Sequence, residues 1–300
     1  MKTAIRSRHL VAAVGMSALA SLAVVAPASA DGPVPVTADR ITAEGLDIYY
    51  EVHGELSSDQ TPVLLLHGGM GSIGTDFAKL LPALMRGHTV IGVEQQGHGR
   101  TGGRDAPITL ASMRADTLAV LDALDVEKVH VVGFSMGGML ALELGVHAPE
   151  RLATLTALSV SQNAGGMHPE IVEMNRDPSY RPSPEIAALM PNEEDFAGMR
   201  DAFADNPSGP DQFVKTFEAL GSFINSDWGW SDEELAAIGT PTLLVVADRD
   251  FMPVGHVASM AEWIPHAQFA VLPDTTHFTI TRRSDWLVPM IENRISTASR

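Results

Sequence analysis

The sequence contains no cysteine, which removes disulfide scaffolds, thiol nucleophiles and thiolate metal sites at once. Positive charge is also scarce: 20 Lys and Arg stand against 37 Asp and Glu, a formal net charge of −17. A surface so acidic argues against nucleic acid and anionic membranes as partners, and solubility is its simplest use. Only the first thirty residues hold a long apolar run, and no internal repeat or low-complexity tract follows it. His and carboxylate residues form no metal-ligand spacing; His147 and Glu150 fall where a helix is expected to end. No metal or other cofactor is expected.

Lys2, Arg6 and Arg8 precede an apolar stretch from Leu10 to Val25, and Ala28-Ser29-Ala30 follows. The stretch is short of the ~20 residues of a spanning helix and leads straight into a small-residue cleavage pattern. It reads as a secretory signal peptide over 1–30, cut after Ala30, which implies a secreted or periplasmic protein. Losing three cations leaves 31–300 at −20. That remainder is long enough for one domain with a large core.

A hairpin is expected over 40–52, turning near Glu44-Gly45. Beyond it, strands (62–66, 89–93, 128–134, 153–159, 242–247, 268–272) alternate with helices (76–85, 110–124, 136–147, 254–264, 283–295). This rhythm predicts an α/β fold with a mostly parallel sheet flanked by helices. It breaks over 161–239, where prolines and helix-like apolar spacing replace any strand pattern. Eighty residues are too many for a bare loop, so a helical cap insertion is expected there. Its Met and aromatic residues should mostly form its own core. A few, with Phe217 and Trp228 as candidates beside Met70, should line a substrate pocket.

The most informative five residues are Gly133-Phe134-Ser135-Met136-Gly137, set between an apolar strand and a helix. G-x-S-x-G in that setting is a nucleophile elbow, whose tight turn lifts the serine hydroxyl clear of the backbone. A serine needs a base, and the base needs an orienting carboxylate. Asp250 and His277 each follow a strand, in the order Ser…Asp…His, and parallel strands would bring all three to one edge. Asp248 is the competing acid. After the strand at 62–66 comes His67-Gly68-Gly69-Met70-Gly71-Ser72, whose Gly69 or Met70 N–H could join that of Met136 in an oxyanion hole. A phosphate-binding loop would want a Lys that is missing.

Together these elements resemble the α/β-hydrolase fold superfamily, in its esterase- and lipase-like branch with a helical cap. The resemblance runs from the Arg40 hairpin to the last helix. It also takes in the Gly97-His98-Gly99-Arg100-Thr101 turn and Asp250-Phe251-Met252-Pro253, although Glu94-Gln95-Gln96-Gly97 departs from the family's usual Asp-x-Arg-Gly. It implies Ser135 as nucleophile, Asp250 as acid, His277 as base, and Met136 and Gly69 as oxyanion donors. His67 and His98 are expected to support loops. The expected activity is acyl-enzyme hydrolysis of a small, rather apolar ester, lactone or thioester. The same triad also serves carbon–carbon bond hydrolysis, perhydrolysis and peptide cleavage, and some proteins of this fold are ligand receptors. The sequence leaves oligomeric state open.

Overall fold

The computed structural model describes residues 36–177 and 179–298. The chain divides into Met1–Pro33 and Val34–Arg300, and everything described belongs to the second unit. The expected signal peptide at 1–30 lies outside the described residues.

Eight strands form one sheet: β1 (Val36–Ala43), β2 (Leu46–His53), β3 (Val63–Leu66), β4 (Val90–Val93), β5 (Val129–Phe134), β6 (Leu152–Leu158), β7 (Thr242–Arg249) and β8 (Gln268–Thr276). The order is β1-β2-β4-β3-β5-β6-β7-β8. The first two strands make the expected hairpin around Glu44-Gly45 and join β4 antiparallel. All strands from β3 onward run parallel, so the loops after them open on one edge. Chain order reverses between β3 and β5, which makes a crevice at that edge, where ligands bind in open α/β sheets.

The helices are α1 (Ile73–Asp76), α2 (Leu80–Leu84), α3 (Leu110–Ala123), α4 (Met136–His147), α5 (Pro169–Arg176), α6 (Pro184–Ala187), α7 (Glu193–Asp201), α8 (Gln212–Ile224), α9 (Asp232–Ala236), α10 (Val254–Trp263) and α11 (Ser284–Ala298). Successive strand residues point to opposite faces, and the core divides accordingly. Leu64, Leu66, Val129 and Val131 pack with residues of α3, α4 and α10. Val63, Leu65, Val132 and Phe134 pack with residues of α2 and α11.

One expected helix is corrected. The segment 76–85 is not continuous but split into α1 and α2. Ser72 and Thr75 form a capping box that starts α1 earlier. Pro82 has no N–H for the carbonyl of Ala78, so its turn cannot continue from the one before. Between β6 and β7 stand five helices, α5 to α9, and no strand among the described residues. Ile171, Ile186, Phe223 and Leu235 of these helices join the core cluster that holds α4, and polar bonds add to the attachment. Asn206 Nδ2 donates to the carbonyls of Gly99 (2.8 Å) and Thr101 (3.0 Å), and Trp230 Nε1 donates to Glu143 of α4 (3.1 Å).

Candidate active site

Ser135 follows β5 at the centre of the parallel edge and opens α4, with φ 51° and ψ −116°. Positive φ is unfavourable for a residue with a Cβ, and the packing around it holds the turn. A Cβ on Gly133 would run into the Gly137 carbonyl, and one on Gly137 into that of Leu66. Only glycine fits either place, which accounts for both ends of the motif.

Asp250 and His277 come from the loops after β7 and β8. His277 Nε2 lies 3.0 Å from Ser135 Oγ, and its Nδ1 lies 2.7 Å from Asp250 Oδ1. A carboxylate only accepts, so Nδ1 carries the proton and Nε2 faces the hydroxyl with a lone pair. The imidazole is stacked on Phe251, with centroids 4.2 Å apart and planes at 12°. Phe134 approaches it from another side at 5.1 Å.

Asp250 is 2% exposed. Burial pushes its carboxyl up, but His277 and hydrogen bonds from His277, Ser159 and the Ala247 N–H outweigh that and leave it below the usual range. Asp248 sits elsewhere. Its two oxygens accept the N–H groups of Asp274 and Thr275, both at 2.9 Å, and these depress it despite some burial. It stands near the end of β7 and bonds to β8, whereas Asp250 is the carboxylate hydrogen-bonded to His277.

The loop after β3 is next to Ser135 because β3 is next to β5. His67 Nδ1 donates to the Gly68 carbonyl (2.8 Å) and its Nε2 accepts the Gln95 N–H (3.0 Å). His98 Nδ1 donates to the Gln96 carbonyl (2.9 Å). Burial pushes both rings toward neutrality, His98 to about 3, and the bonds they make are to loop backbone. Among the described residues, no acceptor is bonded to the N–H of Gly69 or of Met136. Glu94, where the family pattern has Asp, is fully buried and paired with Arg100 (2.6 Å), which also reaches Glu51.

A cavity of ≈ 100 Å³ reaches His277 and the Gly69–Gly71 loop. Met70, Phe134, Met199 and Phe278 supply its apolar wall, whereas Asp76, Glu194, Asp195 and Arg282 make the rest polar. Met70 thus shares a cavity wall with His277. Phe217 does not: it is 58% exposed. The neighbouring Thr216 is turned inward, donating to the Gly97 carbonyl (3.0 Å) and accepting from Gln212 (2.9 Å), and that rotation of α8 carries Phe217 to the outside. Trp228 is buried but stacks on Phe223 (5.8 Å) and packs against Trp230, away from this cavity. Neither Phe217 nor Trp228 lines this cavity, which is mixed in polarity; Phe223, Trp228 and Trp230 join the core that holds α4, and Phe203 and Phe213 pack with Met70.

Sequence reasoning missed Ser159, which follows β6, has φ 54° and is fully buried. Its hydroxyl donates to Asp250 Oδ2. The available signal was its place after the strand that neighbours both β5 and β7. It also missed the Phe251 stack, although Phe251 stands in the acid loop itself.

The arrangement can deprotonate a serine in the act of attack and hold the resulting imidazolium beside a carboxylate. A family model described as alpha/beta hydrolase fold matches residues 61–183. The RutD protein of Azorhizobium caulinodans, provisionally named a carbamate hydrolase, is 31% identical over 234 residues, spanning 75% of this chain and 85% of its own. The namesake from Agrobacterium fabrum is 26% identical and 91% covered, across 77% of this chain. Among solved structures, Est816, described as an N-acyl homoserine lactone degrading enzyme, superposes with TM-score 0.66 at 26% identity. It covers 85% of this chain and 99% of its own. The meta-cleavage product hydrolase of Pseudomonas fluorescens IP01 has TM-score 0.70 at 21% identity, with 89% and 99% covered, a likeness of fold.

Proposed function

The chain belongs to the α/β-hydrolase fold family of hydrolases, and from that premise we propose that it is a serine hydrolase cleaving a small carboxylic ester or lactone through an acyl-enzyme. The observation that carries this reading is the unbroken chain of hydrogen bonds from Ser135 through His277 to Asp250, at the crevice between β3 and β5. Ser135 Oγ attacks the carbonyl carbon while its proton passes to His277 Nε2. The N–H groups of Met136 and Gly69 receive the oxyanion, where preorganised donors are worth about 10²–10³ each in rate. His277 then protonates the departing alkoxide, which leaves the acyl group on Ser135. Water, deprotonated by His277, releases the acid and restores the serine. Asp250 keeps the proton on Nδ1 throughout and stabilises the imidazolium.

A cavity of ≈ 100 Å³ beside His277 supports a small acyl group. Ester and lactone carbonyls suit the same attack, and the likeness to Est816 favours trying a lactone. Carbamate is the alternative that the RutD relatives suggest. The helices α5 to α9 act as a cap in this reading, with Met199 of α7 over the cavity. Residues 1–30 would direct export and be removed after Ala30, which the mass of the exported protein checks.

The test is a labelled fluorophosphonate with wild type and Ser135→Ala, followed by turnover on short-chain p-nitrophenyl esters, an N-acyl homoserine lactone, a carbamate and a vinylogous diketone. Labelling confined to wild type and turnover greatest on the esters or lactone are expected. Labelling of both proteins would place the nucleophile elsewhere. Turnover confined to the diketone would make the chain a carbon–carbon bond hydrolase, and confined to the carbamate would shift the substrate class.

A further inference from the structure

Asp76 takes no part in the relay, yet its carboxyl is wedged into the loop that faces Ser135. It is the last residue of α1 and lines the cavity that reaches His277. Its Oδ2 accepts the Gly68 N–H at 2.7 Å. The Gly71 N–H donates to the Gly68 carbonyl at 3.2 Å and closes the loop into a curl. A Cβ on Gly71 would overlap the Asp76 carboxyl, so the acid fills the hollow of that curl.

The curl is not what the loop would adopt alone. Met70, at its tip, has φ 63°, a conformation that a side chain with a Cβ adopts at a cost. Its surroundings must therefore hold it. His67 fixes the start of the loop, through Gly68 and Gln95. The Ser72–Thr75 capping box fixes the end. Between these anchors, the bond from Gly68 to Asp76 is the side-chain tether, one residue before the Gly69 N–H.

We propose that Asp76 is a positioning residue for the reaction at Ser135, its carboxyl oxygen setting the curl that aims the Gly69 N–H at the developing oxyanion. This rests on the serine-hydrolase reading above. What the loop requires is an acceptor oxygen, not a charge. Burial holds the Asp76 carboxyl up at about 7, so it spends much of its time neutral near physiological pH. An amide of the same shape should then replace it.

The experiment measures phosphonylation of Ser135 by a labelled fluorophosphonate. In that step the serine oxygen bonds to phosphorus, fluoride leaves, the proton goes to His277 and the phosphoryl oxygen takes up the oxyanion position. It needs no knowledge of the natural substrate. Asp76→Ala should lower the maximal labelling rate about 10–100-fold, less than outright loss of an oxyanion donor. The reagent concentration giving half-maximal rate should change less than about 3-fold. Asp76→Asn should restore labelling to within about 3-fold of wild type. Gly71→Ala, which displaces the carboxyl without altering it, should reproduce the loss and decides the matter if Asp76→Ala does not fold. Labelling of Asp76→Ala, or of Gly71→Ala where that decides, at the wild-type rate would overturn the proposal. So would an Asn variant as slow as the Ala variant. A wild-type protein that takes no label would instead overturn the serine-hydrolase reading itself.

Discussion

Replacing Asp250 with Asn should reveal how much of the chemistry depends on this one buried carboxylate. The carboxylate takes four hydrogen bonds: from His277 Nδ1 and the Phe251 N–H at 2.7 Å each, from the Ala247 N–H at 3.2 Å, and from the Ser159 hydroxyl. An amide offers one accepting oxygen and one donating nitrogen, so either orientation sets its NH₂ against a backbone N–H. With the NH₂ toward Phe251, it also faces His277 Nδ1 and drives the ring proton to Nε2, against Ser135. Such a wrong tautomer costs about 10⁴-fold in turnover, or roughly 5.4 kcal/mol. With the NH₂ toward Ala247 the tautomer survives, but the imidazolium loses its anion. At about 4 Å between charge centres and an effective dielectric near 20, that is about 4 kcal/mol, close to 10³-fold. Turnover on a short-chain ester should therefore fall about 10³–10⁴-fold, with circular dichroism unchanged. Asp248→Asn loses one of two bonds to the end of β8. That should cost about 1–2 kcal/mol of stability and change turnover less than about 5-fold. A reversed order, or an Asp250→Asn variant with more than about a tenth of wild-type turnover, would refute the assignment of the acid.

Three further outcomes are expected. Ser159→Ala removes a donor to a buried carboxylate, typically worth about 1.5–3 kcal/mol, so kcat should drop roughly 10–100-fold with KM little changed; an unchanged kcat would make Ser159 a bystander. Met199→Ala, on the cavity wall, should shift acyl-chain preference toward longer chains by ~1–3 kcal/mol in relative kcat/KM, whereas Phe217→Ala on the exposed face of α8 should leave the chain-length profile flat. Burial raises Asp76 from the usual 3.8 to about 7, so the folded state holds a proton that the unfolded state has lost. Stability should therefore fall as pH rises from about 4 to about 7, by at most about 4 kcal/mol. Asp76→Asn lacks this loss, so denaturant unfolding should find it more stable than wild type at pH 8 and similar at pH 3.5; a difference growing toward low pH would contradict the assignment.

What the sequence by itself determined is what depends on near neighbours along the chain. An apolar run into G-x-S-x-G makes a strand, a turn and a helix wherever it folds, because glycines at 133 and 137 are the residues that let the turn close. The parallel sheet followed from alternating strands and helices, and with it the gathering of Ser135, Asp250 and His277 at one edge. What only the tertiary structure decided is which loops become neighbours and which way each helix turns. Ser159 meets Asp250 because β6 pairs with β7, and the Gly69 loop meets Ser135 because β3 pairs with β5, pairings that distant segments settle together. Apolar residues lie on more than one side of α8. Its rotation was settled when Gln212 and Thr216 turned inward to satisfy the loop at Gly97, and Phe217 was carried out to solvent. Asp76 gave no sequence signal, since an acidic residue at the end of a short helix is commonplace. Its meaning comes from the Gly68 N–H, eight residues back along the chain, which the curl of the loop folds onto its carboxyl.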